Sequence, residues 1–295
     1  MPTNSLQLQL AAASQMNTLL ALIDTAQAPN IISELTKLEP LLTPIVFFSE
    51  IEIASPALIA LPPYVESSPL WQRVSSQLTN NPASLTLIAS PNTGQVLHDH
   101  LAAWMLVQLP TDNTEMVLAL WDPIVLAALL GNPSDTSLYV TGPILTRSQR
   151  EAFLVPINSW WYSARDGDIH QLVPKAPTPT PPLTAQPVTL PLLLTQQQLD
   201  ALTDVNLPDQ LLAYLYENQS NLIEPIPQKQ RYETVRAALS QANQIGLQNM
   251  RDRLNYICAT LIYGTQMHTN SSIRQLLQQV HEQQITLTQA LEQFP

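Results

Sequence analysis

The chain has 295 residues, 45% of them apolar and only 12% charged, with a formal net charge of −11. So many Leu, Ile and Val residues exclude a disordered chain, and the acidic balance argues against nucleic acid, whose phosphates require a basic stripe. The length suits one large domain or two modest ones.

In chain order, 18–24 (TLLALID) is a short apolar run ending in an acid and predicts a buried strand. Pro29 opens a predicted helix through Lys37. Strands are predicted over 44–48 and 57–61. Leu70, Trp71, Val74 and Leu78 recur at helical spacing and predict an amphipathic helix over 69–79. A strand over 84–89 and a helix over 93–103 follow. The runs 104–109 and 115–121 flank a polar turn and predict a hairpin. Asp122, Pro123 and Gly131 supply an N-cap, a first-turn proline and a terminal glycine for a helix over 123–130. Strands over 137–141 and 157–163 complete the first lobe.

Prolines 174, 177, 179, 181, 182, 187 and 191 then crowd one segment, which cannot supply ladder donors or a helix interior. It reads either as a strap between lobes or as a loop lying along the first lobe. After it the pattern turns helical. Thr195 and Gln198 have capping-box spacing. Met250, Leu254, Ile257, Cys258, Leu261 and Ile262 form one apolar stripe between Gly246 and Gly264. Ile273, Leu276, Leu277 and Val280 repeat it, and 286–293 predicts a last short helix. The expected architecture is α+β or α/β: a mixed-sheet lobe with flanking helices over 1–166, a Pro-rich strap over 167–194 and an all-α lobe over 195–295.

Residues with chemistry to offer are few. The six glycines, at 94, 131, 142, 167, 246 and 264, cannot be arranged into a dinucleotide fingerprint, a P-loop or a nucleophile elbow. Asp24, at a strand end, suits either a catalytic carboxylate or a turn cap. His98 and His100 lie two apart on a predicted helix, so their rings diverge, and a core or capping role outweighs a shared metal. Asp166 and Asp168 flank Gly167 as turn residues. No catalytic set, cofactor or metal is expected. The alternative from another class is a small-molecule hydrolase using Asp24 with His98 or His100.

Interface candidates are easier to find. Trp160, Trp161 and Tyr162 are consecutive, so on a strand at least one large ring is expected to face away from the core. That ring would anchor a partner or lie under the strap. Tyr214 and Tyr216 pose the same question. Over 1–146 only Lys37 and Arg73 oppose eleven acids, whereas 229–274 holds six basic residues against Glu233 and Asp252, a local balance of +4. This is either a solvated helical face or a docking face for an acidic partner, with Arg251 and Arg253 in it. Cys258 is alone, which rules out an intramolecular disulfide. There is no Lys or Arg before Lys37, and Gln7 and Gln9 break the early apolar stretch, a poor secretory leader. No run is long enough for a membrane span, so a cytoplasmic protein is expected.

Several segments share an order and spacing with one known family. They are 19–26 (LLALIDTA), Ser90-Pro91 with His100-Leu101, Leu120-Trp121-Asp122-Pro123 with Val125-Leu126, and Gly142-Pro143 after Tyr139. Later, Gly246-Leu247 leads into 248–263 and Gly264. The chain resembles the type VI secretion adaptors, or effector chaperones, over about 17–163 and more loosely over 192–294. It departs from them at Ala102, Ala119 and Ile124, where the family commonly has arginine. The resemblance implies a non-enzymatic, cofactor-free adaptor. Such a protein binds a cognate effector, often by its N-terminal region, and helps join it to the spike-tip protein. A self-assembling structural component of the same apparatus is the further alternative.

Overall fold

The computed structural model describes residues 3–48, 55–112, 114–172 and 188–295. The chain divides into two compact units, Met1–Val205 and Asn206–Pro295.

The first unit contains α1 (Thr3–Ala13), β1 (Thr18–Ile23), α2 (Ile31–Leu38), β2 (Pro44–Val46), β3 (Ala57–Leu61), α3 (Pro69–Asn80), β4 (Leu85–Ser90) and α4 (Gly94–Met105). It continues with β5 (Leu106–Gln108), β6 (Glu115–Val117), α5 (Pro123–Leu130), α6 (Arg147–Leu154), β7 (Ser159–Ser163), β8 (Ile169–Leu172), β9 (Leu192–Leu193) and α7 (Gln196–Val205). Six strands form one sheet in the order β2-β3-β1-β4-β7-β8, with every pairing antiparallel.

The run LLALI of β1 has no polar alternation because both faces of the sheet are covered. Leu20 and Leu22 join one core with Ile88 of β4, Leu97 and Leu101 of α4 and most of α5. Leu19, Ala21 and Ile23 join a second core with Ile31 and Leu35 of α2 and Leu70, Trp71, Val74 and Leu78 of α3. A strand buried on both faces reads as a continuous apolar run.

Helix α5 is also apolar nearly all round, and every residue but Ile124 is buried. Asp122 caps it, its Oδ1 accepting from Ile124 N (2.8 Å) and Val125 N (3.4 Å). The following loop folds back on α5: Ile144 N and Leu145 N donate to Ala128 O (3.0 Å) and Leu129 O (3.1 Å). Gly142 permits this approach. It lies at φ +68°, and a Cβ there would collide with the Ala128 carbonyl.

A smaller sheet has the order β6-β5-β9. The predicted hairpin is its β5–β6 pair, which is shorter than expected because α4 continues through Met105. Strand β9 pairs parallel with β5, Val107 opposite Leu192.

Three boundaries differ from expectation. Residues 137–141 form no strand. Asn132 and Asp135 draw local backbone to their own side chains, Ser134 N to Asn132 Oδ1 (3.3 Å) and Ser137 N to Asp135 Oδ1 (3.0 Å), so the chain turns rather than extends. The strap does not begin at 167, because Ile169–Leu172 is β8, paired with β7. Nor does the first unit stop before 195. Leu192, Leu194 and Val205 belong to its core, and α7 packs on α5. The capping box at Thr195 forms as expected, and buried Gln198 also donates to Ile144 O (3.1 Å) and Gln149 Oε1 (2.9 Å). Prolines 174–187 of the expected strap lie outside the described residues.

The second unit is helical: α8 (Leu207–Asn218), α9 (Ser220–Ile223), α10 (Gln228–Gln244), α11 (Met250–Tyr263), α12 (Gln266–Thr269), α13 (Ser271–His281) and α14 (Leu287–Leu291). Its core includes Leu247, Tyr256, Ala259, Met267, Ile273, Leu277, Val280 and Leu287. The α13 stripe is buried at Ile273, Leu277 and Val280. The α11 stripe is corrected: Tyr256, Ile257 and Ala259 are buried, while Met250 and Ile262 are exposed. This helix packs on α10 and also on α9, α12 and α14, so more than one stripe of it is covered.

Candidate functional site

The aromatic run takes its place in the core. Strand β7 lies inside the sheet, between β4 and β8, so its alternate side chains enter both cores. Trp160 and Tyr162 face one and Trp161 the other, each at most 1% exposed. The expected outward ring is therefore absent. What covers Trp161 is α1 and α3, with Trp161 Nε1 donating to Gln9 Oε1 (2.8 Å), while Trp160 Nε1 donates to Thr86 Oγ1 (2.8 Å). A partner cannot reach any of the three without opening the sheet.

Tyr162 reveals a polar cluster that the sequence reading missed. Its hydroxyl donates to Asp135 Oδ2 (2.9 Å) and accepts from Asn132 Nδ2 (2.7 Å). Asp135 is 1% exposed, and its other oxygen accepts from Ser137 N (3.0 Å) and Ser137 Oγ (2.6 Å). Ser134 Oγ donates to Asn132 Oδ1 (2.6 Å), and His170 stacks on the Tyr162 ring with centroids 5.5 Å apart. Burial, followed by the Asp135 charge, pushes the Tyr162 phenol well above its usual range. A phenol held neutral and a carboxylate engaged by donors on both oxygens make a lock between the 132–137 turn and β7. The polar run 132–137 (NPSDTS) was the available signal.

The hydrolase candidates stay apart. Asp24 Oδ1 accepts from Ala26 N (2.9 Å) and Gln27 N (3.2 Å), which makes it a turn cap, and burial raises its carboxyl above the usual range. His98 stacks on Phe47 (4.4 Å between centroids), donates from Nε2 to Val46 O (3.3 Å) and sets Nδ1 3.1 Å from Asp99 Oδ1. His100 Nε2 donates to Phe153 O (2.8 Å), and burial pushes its imidazole below the ordinary value. The three groups engage three different neighbours. Among the described residues no three His, Cys, Asp or Glu side chains gather where they could hold a metal ion.

The remaining candidates lie on the helical unit. Tyr214 and Tyr216 are exposed. Arg231 Nη1 donates to the Tyr216 hydroxyl (3.0 Å), and its guanidinium carbon stands 5.5 Å from that ring's centroid. Arg251 is exposed. Arg253 is half-buried and donates from Nε to Leu247 O (3.2 Å), so it braces the turn before α11 rather than standing free for a partner.

This unit also has a groove of about 660 Å³, enclosed by the end of α10, by α11, and by α12 and α13. Its floor is apolar, from Ile245, Tyr256, Met267 and Leu277, and its rim carries His268, Arg274 and His281 among glutamines 241, 244, 275 and 278. These groups come from four segments and show no local sequence pattern.

Among the described residues no helix is long and apolar enough to cross a membrane. No curated protein and no solved structure matches the chain. Residues 19–138, which hold β1 through α5 and the 132–137 turn, match the family model described as Domain of unknown function (DUF4123).

Proposed function

We propose that the chain is a non-enzymatic cytoplasmic adaptor that binds a cognate effector of a type VI secretion system and helps load it onto the spike-tip protein. The observation that carries this reading is the family match over 19–138. It falls on the stretch where the β1 run, the Leu120-Trp121-Asp122-Pro123 step and the His100-Leu101 pair resemble the secretion adaptors. The geometry is compatible with a binding role, since Asp24, His98 and His100 are each engaged in holding backbone or neighbouring rings. No cofactor enters the reading.

A tagged full-length chain recovered from its native cell tests it. The expected result is one secreted toxin retained in stoichiometric amount, with purified spike-tip protein joining the pair. Deleting the chain should then stop secretion of that toxin alone. Recovery without either partner, or unchanged toxin secretion in the deletion strain, overturns the proposal.

A further inference from the structure

We propose that the groove of the helical unit is a docking site for an acidic amphipathic helix of a partner protein. The inference rests on the adaptor reading for the existence of a protein partner, and on the groove alone for that partner's chemistry.

The groove's charge is of one sign. Twelve residues line it and none is Asp or Glu, although the whole chain is at −11. Arg274 is exposed at its rim and makes no side-chain hydrogen bond or ion pair among the described residues. His268 and His281 stand exposed beside it. Glu282, on the turn after α13, is held by two amides, Gln278 Nε2 and Gln284 Nε2, each at 2.7 Å. An unpaired guanidinium above an apolar floor is complementary to a carboxylate carried next to an aliphatic side chain.

Size and walls select the form of the occupant. About 660 Å³ lies within the range of ordinary ligand clefts, roughly 300–1,000 Å³. That admits one face of a helix and excludes a folded domain. The walls are helices, with no sheet edge to pair an extended peptide, so a segment that satisfies its own backbone is favoured. The apolar floor takes residues at i, i+3 and i+4, and the glutamines offer donors and acceptors to the flanks. Nucleic acid is a poor occupant. Its phosphates would meet one permanent cation at the rim, in a unit whose six basic residues face seven acidic ones.

The test is a selection with random displayed peptides of about 16 residues, long enough for roughly four helical turns, against the purified full-length chain. Enriched peptides should combine Asp or Glu with Leu, Ile or Phe at helical spacing. A synthesised winner, measured by fluorescence anisotropy, should bind Arg274→Glu at least about tenfold more weakly than wild type. It should also weaken as salt rises from about 50 to about 500 mM. Arg251→Glu, outside the groove, should bind it like wild type. Circular dichroism checks that both variants fold, which exposed positions favour.

No enrichment, enrichment without acidic residues, or equal binding to Arg274→Glu overturns the proposal. A concentration-dependent doubling of mass that Arg274→Glu abolishes also overturns it, because the occupant is then a second copy of this chain. The two proposals fail separately. A secretion partner that binds Arg274→Glu as tightly as wild type leaves the adaptor standing and removes the groove. Acidic peptides that need Arg274, in a chain with no secretion partner, do the reverse.

Discussion

On β7 of Met1–Val205 the large aromatic side chains are tied down by hydrogen bonds. Trp160 is bound to Thr86, Trp161 to Gln9, and Tyr162 lies between Asn132 and Asp135. In Asn206–Pro295 the comparable groups stand at a surface: Tyr214 and Tyr216 are exposed, and Arg274 rims a groove without a partner. The difference follows from how each unit makes its core. A sheet covered on both faces buries most side chains of its inner strands, and the indole and phenol groups of β7 find partners there, although the buried Ser163 Oγ does not. Packed helices bury part of each helix surface and leave a groove where α10, α11, α12 and α13 meet. Composition alone would have placed the interface on the aromatic-rich strand. The covering helices reverse that assignment.

The comparison breaks most easily at β7. Trp160→Ala or Trp161→Ala should destabilise the first unit by about 3–5 kcal/mol, as expected for emptying a large core site. The helical unit's melting, followed separately by calorimetry, should be unaffected. A Trp161→Ala protein that melts like wild type but loses its partner would return that residue to the interface.

Tyr162→Phe sharpens the comparison at single-atom level. It removes the donor to Asp135 and the acceptor for Asn132 without opening a cavity, and should cost about 1–3 kcal/mol. The pH dependence has a definite sign. Tyr162 holds its proton more tightly in the folded state than at its ordinary value of 10.0. Its stabilisation is therefore complete below pH 10.0 and is lost as pH rises toward the raised folded value. Denaturant titrations should show wild-type stability falling above pH 10.0, with a shallower fall in Tyr162→Phe. Tyr64, Tyr256 and the Cys258 thiol, which burial also raises, contribute to the remainder.

Smaller effects belong to the caps and the surface. Asp122→Ala should cost about 1 kcal/mol, read as a lower melting temperature with partner binding intact. Arg251→Glu should change stability by no more than about 0.5 kcal/mol. Arg253→Glu should cost more, because it loses the bond to Leu247 O. Equal melting of the two variants would show that the brace contributes nothing.

Much of the fold was legible in the sequence, for local reasons. The β1 run, the Leu70–Leu78 spacing of α3, and the Asp122-Pro123 and Gly131 limits of α5 each lie within one element, and propensity and capping act there. What was hidden depends on neighbours far along the chain. The Trp160–Tyr162 alternation implied an exposed face only on the assumption that one side of the sheet met water. Residues 137–141 have strand-forming composition, but Asn132 and Asp135 bend the chain first. The groove was illegible because glutamine and histidine carry no periodic signal, and its walls meet only in three dimensions.

The family match stops at residue 138, yet the core it belongs to is closed by Leu192, Leu194 and Val205. Strand β9 supplies an edge of the small sheet, and buried Gln198 fastens α7 to the 144–149 stretch. During synthesis, then, the part of α5 that α7 covers stays exposed while the ribosome makes roughly seventy further residues, an interval open to chaperones and to aggregation. Force measurements on stalled nascent chains should show the first unit releasing tension only after Val205 has left the ribosome. Release at a length ending near 166 would mean that the early segment closes by itself. For protein production the practical boundary is accordingly 205/206, beyond the last residue that the first core uses.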